Sequence, residues 1–318
     1  MRTSRLVLLV LAALVAVPVT FLAAFGWPAS RHATTTATLG TPSSTDAMEA
    51  LLDTPGPIEA ETIVGADWSV DRSGVLDLED PRASAFADEL EPIQIYVHTM
   101  RHPSRGRFLI DTGVEQALVD APDEAAIHGI VAQAAGVERM QIRTSTHALL
   151  ARLEAPIEGV LLTHLHLDHV SGLRDVPREV PVYTGPGEAG ARSAMALATQ
   201  GAIDRALEGR DAIREWRFTP DPSGVFAGVL DVFGDGSLFA LSVPGHTAGS
   251  VAYVARTPEG AVLFTGDVCH TAWGWEHDVA PGTFTEDHDA NVASLAALRA
   301  LAARHPAMRV RLGHQPLP

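Results

Sequence analysis

The segment from Thr163 to His169, Thr-His-Leu-His-Leu-Asp-His, brings three imidazoles and one carboxylate close together directly after an apolar run. Imidazole and carboxylate groups together suit zinc and other divalent metal ions. Because alternate residues of an extended segment point to the same side, His164 and His166 can reach one ion. Asp168 and His169 follow the end of the predicted strand and can turn towards a second ion. The spacing therefore predicts a metal site.

Three further segments place a possible ligand at the end of a strand-like run. His246 lies on a turn flanked by glycines, Asp267 follows an apolar run, and His314 follows a segment of alternating character. Loops at the ends of a rigid sheet are where binding and catalytic residues commonly converge. Each of the three residues taken singly is equally consistent with a turn or core position. Their order along the chain favours a shared site.

This order of segments resembles the metallo-β-lactamase superfamily of hydrolases. The resemblance runs from about Ile93 to His314 and includes the sequence Ile-Asp-Thr-Gly at residues 110–113. It implies an α/β fold, the αββα sandwich of two mixed β-sheets flanked by helices. It also implies that Asp111 orients a ligand histidine from outside the metal centre. The ligands that it implies are His164, His166 and His246 for one ion, Asp168, His169 and His314 for the other, and Asp267 as a bridge.

Two metal ions held close together lower the pKa of a bridging water and produce hydroxide near neutral pH. That hydroxide can attack the carbonyl of an ester, lactone, thioester or amide, and a metal then stabilises the oxyanion. True β-lactamases of the family lack an aspartate bridge at the position of Asp267, so β-lactam hydrolysis is a side possibility. Thioesterases similar to glyoxalase II keep the bridge but need a basic patch, and no clear Lys/Arg cluster follows His246.

The motifs are most similar to those of lactonases that open N-acyl homoserine lactones. That group commonly has a tyrosine three residues after the bridging aspartate, where this chain has His270. We predict Asp168 and His270 as catalytic residues, with His270 hydrogen-bonding the substrate carbonyl or the departing oxygen without binding metal. Trp273 and Trp275 are predicted to wall an apolar substrate pocket, the alternative being ordinary core packing.

Histidine and carboxylate ligands accept zinc, iron, manganese or cobalt. We expect two divalent ions per chain, with zinc favoured. Cys269 is the single cysteine, so an intramolecular disulfide is excluded. Its position two residues after Asp267 would allow a ligand or a reactive thiol, but a small buried hydrophobic residue is the favoured interpretation.

The N-terminal sequence predicts a targeting or membrane segment. Arg2 and Arg5 precede an apolar run from Leu6 to Trp27, which predicts a signal peptide or uncleaved membrane anchor over residues 1–29. Positive charge before the run predicts that the following domain is exported, either anchored or released after cleavage. Residues 30–60 are rich in Thr, Ser, Ala and Pro and are predicted to be a flexible tether. The catalytic domain is then expected over residues 61–318.

Composition constrains the partners. The formal net charge is −16 with only 23 Lys and Arg residues, so a nucleic-acid partner would be repelled over most of the surface. The expected partner is a small-molecule ester or lactone, with the membrane as a second partner if the N-terminal segment is not cleaved. A different class of function is a catalytically idle, membrane-tethered binding protein that keeps the fold. Metal content would discriminate between the two.

Hydrophobic periodicity places the main elements. We predict that residues 93–97 and 107–110 form antiparallel strands, and that 146–153 form a helix capped by Ser145 or Thr144. Residues 190–207 are predicted as a helix broken near Gly201, and 289–304 as a helix rich in Ala and Leu.

Overall fold

The computed structural model describes residues 26–153 and 155–317. Its strands are β1 (Trp27–Pro28), β2 (Thr34–Thr36), β3 (Thr41–Ser43), β4 (Glu59–Asp71), β5 (Leu90–His102), β6 (Gly106–Ile110), β7 (Gln141–Ile142), β8 (Ile157–Leu161), β9 (Val182–Thr184), β10 (Arg192–Ser193), β11 (Ile213–Glu215), β12 (Gly228–Asp231), β13 (Leu238–Ser242), β14 (Val251–Thr257), β15 (Gly260–Phe264) and β16 (Arg309–Arg311). Its α-helices are α1 (Thr45–Leu52), α2 (Arg72–Val75), α3 (Ala117–Asp120), α4 (Gly129–Ala135), α5 (Thr146–Arg152), α6 (Leu167–Val170), α7 (Ala196–Ala206), α8 (Ala272–His277) and α9 (His288–Arg304). Short 3₁₀ turns span Pro81–Ala83, Pro122–Glu124, Val137–Arg139, Ser171–Asp175 and Gly266–Val268.

The strands of the described chain form two large mixed sheets. The first has the order β2-β11-β9-β8-β6-β5-β4-β7, with parallel pairing from β2 to β6 and antiparallel pairing beyond it. The second has the order β16-β15-β14-β13-β12-β3 and is antiparallel except for β15 with β16. A separate short ribbon joins β1 to β10. The predicted antiparallel pairing of 93–97 with 107–110 is confirmed in β5 and β6.

Side-chain alternation along the strands builds the layers. In β14, Val251 and Tyr253 pack into the core between the sheets, whereas Ala252 and Val254 pack on the opposite face. That opposite face is covered by α9, which contributes Leu298 to the same cluster. Successive strand residues point to opposite faces, so a strand that is apolar throughout must be covered on both sides. The predicted αββα sandwich is confirmed.

Two of the three predicted helices are confirmed, and the third differs from its prediction. Ser145 accepts a hydrogen bond from the backbone N–H of Ala148 and begins α5 as expected. Residues 288–304 form α9. The predicted break near Gly201 is wrong, because α7 runs unbroken through it. A glycine costs about 1 kcal/mol in a helix interior, and burial of the next two residues, Ala202 and Ile203, offsets that cost.

The segment predicted as a flexible tether, residues 30–60, is part of the folded domain. β2 adds a parallel strand beside β11, and β3 adds an antiparallel strand beside β12. Helix α1 buries Met48 and Leu52 against the core. The low-complexity run of threonines misled the prediction, because threonine favours strands and an edge strand needs backbone pairing more than apolar side chains. The described fold therefore includes residues well before position 61.

The membrane prediction falls mostly on residues that the structure does not describe. Within residues 26–153 and 155–317, none of the helices combines the length and apolar character needed to cross a bilayer. The apolar run that begins at Leu6 lies outside these ranges except for its last two residues.

Candidate metal centre

The seven predicted ligands converge where loops leave β8, β13, β15 and β16. They form two groups in which one ligand atom from each residue lies within 4.8 Å of the others. Asp267 belongs to both groups, as expected of a bridging carboxylate. The first group is His164, His166, His246 and Asp267, and the second is Asp168, His169, His314 and Asp267.

The first group is a cluster of ring nitrogens in a buried place. His246 Nε2 lies 3.2 Å from His164 Nε2 and 2.9 Å from His166 Nδ1. Burial lowers the pKa of His164 and His246 well below the usual range and lowers that of His166 to about 4. Neutral imidazole is the form that binds metal, and several lone pairs that face one point suit a cation.

The second group combines two imidazoles with two carboxylates. His314 Nε2 lies 3.2 Å from Asp168 Oδ2 and 3.1 Å from Asp267 Oδ2, and His169 Nε2 lies 3.3 Å from Asp267 Oδ2. Burial opposes protonation of His169, but the neighbouring carboxylates, led by Asp267, raise its pKa well above the usual range. Among the described residues, neither His169 Nε2 nor Asp267 Oδ1 has a hydrogen-bond partner. Buried polar atoms rarely lack a partner, and a bound cation would provide one for both of these atoms.

Glycines allow the ligand loops to pack closely. Gly245 precedes His246 and has φ +141°, and a Cβ there would lie 2.2 Å from the backbone nitrogen of Asn291 in α9. A Cβ on Gly313 would lie 2.2 Å from Asp267 Oδ1. Both positions require glycine because the neighbouring atom belongs to the backbone or to the centre itself.

Asp111 contacts the centre through His169. The Nδ1 atom of His169 lies 2.8 Å from Asp111 Oδ2, and the backbone N–H of Thr163 donates to Asp111 Oδ1 at 2.8 Å. Asp111 has φ +54°, a conformation that is uncommon for residues other than glycine. A carboxylate at Nδ1 fixes the ring so that Nε2 faces the ligand group. This is the geometry that the resemblance implied.

His270 lies beside the bridge and outside both groups. Its Nε2 is 3.0 Å from Asp267 Oδ2, and its ring stacks on His314 with centroids 5.3 Å apart. The neighbouring Cys269 is buried in the core below α9, and burial raises the pKa of its thiol to about 12. The thiol therefore stays protonated, which agrees with a packing role for Cys269.

A cavity of about 270 Å³ opens onto the centre. His270 and Asp168 line it together with ligand residues of both groups. Most of the remaining wall is apolar and comes from β4, β5, α2, α4, the start of α7 and the loop before α9. Its larger apolar members are Trp68, Val70, Val75, Ile93, Val131, Met195 and Phe284. None of these was predicted, because strands and helices far apart in sequence supply them.

Trp273 and Trp275 do not line this cavity, so their prediction as its wall is wrong. The Trp273 ring packs on Phe86 with centroids 4.8 Å apart and stacks on His277. Trp275 packs against the core and lines a separate open groove of about 760 Å³ beside α9 and β16. Both lie on α8, which begins at the Thr271 cap and directs them away from the centre.

The sequence profile of the family described as the metallo-beta-lactamase superfamily matches residues 91–314. The N-acyl homoserine lactonase AttM of Agrobacterium fabrum is 29% identical over 163 residues, which are 51% of this chain and 59% of the relative. The metallo-hydrolase mfmC of Annulohypoxylon moriforme is 34% identical over 121 residues, 36% of this chain and 32% of the relative. The match thus spans about three fifths or less of these curated relatives.

A solved structure of an N-acyl homoserine lactone hydrolase, with the product N-hexanoyl-L-homoserine at its catalytic metal centre, aligns with a TM-score of 0.59. The alignment covers 82% of this chain and 94% of that one, at 18% sequence identity. A likeness at this identity shows the fold. The family profile extends over most of the sequence and includes both ligand groups. The chain therefore belongs to the metallo-β-lactamase superfamily.

Proposed function

We propose that the protein is a dinuclear metal-dependent hydrolase that opens a lactone or related ester carrying an apolar substituent. The observation that carries the proposal is the pair of ligand groups that share Asp267 beside a largely apolar cavity. Histidine and carboxylate ligands favour zinc, with iron, manganese and cobalt also compatible. The site residues are the seven ligands, with Asp111 orienting His169.

Two bound divalent ions would make water acidic enough to attack an ester carbonyl and would stabilise the charge that develops on its oxygen. The side chains of the protein orient the metal ligands and the substrate and transfer protons. Asp111 holds the His169 ring so that Nε2 faces the centre. His270 and Asp168 both line the cavity. We assign to His270 a hydrogen bond to the substrate carbonyl or the departing oxygen. We assign to Asp168 the acceptance of the proton that the attacking water loses and its transfer to that departing oxygen.

The cavity wall supports a substrate with an apolar group. Ile93 and Val75 are buried lining residues, and Val131 and Phe284 are half-buried. Such a wall favours aliphatic groups through burial of apolar surface, worth about 0.8 kcal/mol per methylene. The relative AttM is named as an N-acyl homoserine lactonase. An acyl-substituted lactone is therefore the substrate class that we propose first.

Arg139 is the cationic side chain that lines the cavity. Its Nη1 atom lies 3.3 Å from Glu138 Oε1, so its charge is already partly matched. A glutathione thioester carries two carboxylates and would need more cationic partners than this. The geometry therefore favours a lactone or ester over such a thioester.

An activity screen of metal-loaded protein tests the proposal. The panel should contain acyl-substituted lactones, unsubstituted lactones, aryl esters, thioesters and β-lactams. We expect the highest kcat/KM on an acyl-substituted lactone, and loss of activity in the Asp267→Ala variant. Metal-loaded protein that cleaves none of these compounds would instead support the idle binding protein. A preference for thioesters or β-lactams would replace the substrate class and keep the metal chemistry.

A further inference from the structure

Glu188 is a buried carboxylate that joins two of the ligand loops. It is 1% exposed and lies in the loop after β9. Its Oε1 accepts a hydrogen bond from the backbone N–H of Leu165 at 2.8 Å. Its Oε2 accepts from Thr247 Oγ1 at 2.8 Å and from the backbone N–H of Gly249 at 2.9 Å. Both oxygens therefore act as acceptors for groups on different loops.

These partners are the neighbours of the first ligand group. Leu165 lies between His164 and His166, and its N–H belongs to the peptide bond that follows His164. Thr247 follows His246 directly. The three histidines of the first group thus come from two loops, and one carboxylate is hydrogen-bonded to both. Fixing the backbone on either side of a ligand fixes the direction in which its side chain points.

Glu188 is itself held in place by the N-terminal part of the fold. The backbone N–H of Ser30 donates to the carbonyl of Ala189 at 2.9 Å, and that of Ala29 donates to Ala191 at 2.8 Å. The pairing of β1 with β10 continues this contact along the chain. These backbone hydrogen bonds fix the loop that carries Glu188, so its side chain can hold the two ligand loops in place.

We propose that Glu188 is a positioning residue that sets the geometry of the His164, His166 and His246 metal site. The inference rests on the proposed function, because it assumes that these histidines bind a metal ion. Among the described residues, Glu188 makes no hydrogen bond with a ligand side chain and does not line the cavity, so its effect on chemistry passes through the two loops. The side chain of Glu188 suits this role because its two oxygens together accept three hydrogen bonds from the two ligand loops.

The second ligand group supplies the internal comparison. Asp168, His169 and His314 make no hydrogen bond with Glu188, and His169 is oriented by Asp111 instead. Loss of the Glu188 hydrogen bonds should therefore weaken metal binding by the first ligand group and leave metal binding by the second group unchanged. A merely structural role would lower stability without distinguishing between the two sites.

The test is the Glu188→Gln variant, loaded with zinc and titrated with a chromophoric chelator. Glutamine keeps the shape, but its amide nitrogen cannot accept, so the donors of one loop lose their partner. We expect one of the two zinc ions to bind about 10- to 100-fold more weakly, as is typical when a group that supports a metal ligand is lost. The matched control is Glu115→Gln, since Glu115 is also fully buried and accepts a backbone N–H, from Ala126.

The weakened ion is assigned in the His314→Ala background, which removes a ligand of the second group. In that background, Glu188→Gln should lower the affinity for the one zinc ion that remains, which the first ligand group binds. Thr247→Val is the milder variant, because it removes one donor to Oε2 and leaves both backbone N–H groups. It should lower the affinity for the same zinc ion by a smaller factor. If Glu188→Gln does not fold, the Thr247→Val variant tests the positioning role in its place.

The outcomes separate this inference from the proposed function. Two zinc ions of unchanged affinity in a folded Glu188→Gln or Thr247→Val variant would refute the positioning role and leave the hydrolase proposal intact. Equal weakening of both ions would refute it as well, because it would indicate a general structural effect. Parent protein that binds none of zinc, iron, manganese and cobalt would refute the proposed function and this inference together.

Discussion

His270 Nε2 lies 3.0 Å from Asp267 Oδ2, the carboxylate that belongs to both ligand groups. The two residues are three positions apart on the turn after β15, and both are almost fully buried. His270 also lines the cavity beside both groups. An imidazole in this position can reach a substrate at the metal centre while it contacts the bridging carboxylate. The group of lactonases that the sequence resembles commonly has a tyrosine there.

We predict that His270→Ala lowers kcat about 10²- to 10³-fold, the usual cost of removing one hydrogen-bond donor to a developing oxyanion. Both metal ions should be retained, because His270 belongs to neither ligand group. His270→Tyr should keep part of the activity and shift preference towards N-acyl homoserine lactones. Steady-state kinetics with elemental analysis of each variant measures both effects. A His270→Ala protein as active as the parent would show that the ring only packs, and loss of a metal ion would make it a ligand.

The shared position of Asp267 predicts how metal content responds to substitution. The parent protein, purified without chelator, should contain about two divalent ions per chain. Asp267→Ala should lose most of both metal ions, because the Asp267 carboxylate belongs to each ligand group. His314→Ala and His246→Ala should each lose about one ion. Elemental analysis of the four proteins checks this pattern, and fully active parent protein that reproducibly lacks metal would contradict it.

The apolar wall predicts a change in substrate preference. Ala135 lies on α4 and lines the cavity. Ala135→Trp should fill the space used by long apolar groups and lower kcat/KM for them by at least about tenfold, while short substrates change little. Gln133→Trp is the control, because Gln133 is exposed on the same helix and does not line the cavity. An equal loss of kcat/KM for short and long substrates would show that the apolar group of the substrate binds elsewhere.

Glu115 predicts a pH dependence of stability. Burial raises the pKa of its carboxyl from the usual 4.5 to about 7, with Asp175 adding to the shift and Arg174 opposing it. The folded state therefore holds this proton more tightly than the unfolded state. The contribution is fully present below about pH 4.5 and is lost as the pH rises through about 7.

Glu115→Gln should remove this contribution, because glutamine is neutral at every pH. The fall in Tm between pH 5 and pH 8 should be smaller in the variant than in the parent. Glu124→Gln, at an exposed position in the 3₁₀ turn that follows α3, is the control. Thermal unfolding at several pH values measures the difference. Parallel curves for parent and Glu115→Gln would show that the carboxyl has no raised pKa.

The N-terminal sequence leads us to propose that the folded domain is exported. Arg2 and Arg5 before the apolar run predict a cytoplasmic N-terminus and a C-terminus on the other side of the membrane. A reporter that is active only outside the cytoplasm should work when fused to the C-terminus. Deletion of residues 1–29 should abolish that signal. Activity restricted to a cytoplasmic reporter would contradict the proposal.

The His164–His169 part of the ligand set was predictable from the residues alone because its chemistry is local, whereas the ligand roles of His246, Asp267 and His314 came from the family resemblance. His164, His166, Asp168 and His169 are close in sequence, and metal-binding side chains with this spacing have few other uses. The paired strands β5 and β6 and the helices α5 and α9 were likewise visible in the periodicity. Each of these elements is specified by its own residues through alternation, helical spacing or a capping side chain.

The tertiary structure alone decided which distant residues meet. Trp273 and Trp275 follow the site in sequence, yet α8 turns them away, and Trp68 and Phe284 form the cavity wall instead. Residues 30–60 look like a tether by composition but join both sheets, because backbone pairing at a sheet edge leaves little trace in side-chain pattern. The hydrogen bonds of Glu188 to two ligand loops are of the same kind. Such contacts depend on where the sheets bring the chain together, and no local pattern of residue types encodes that.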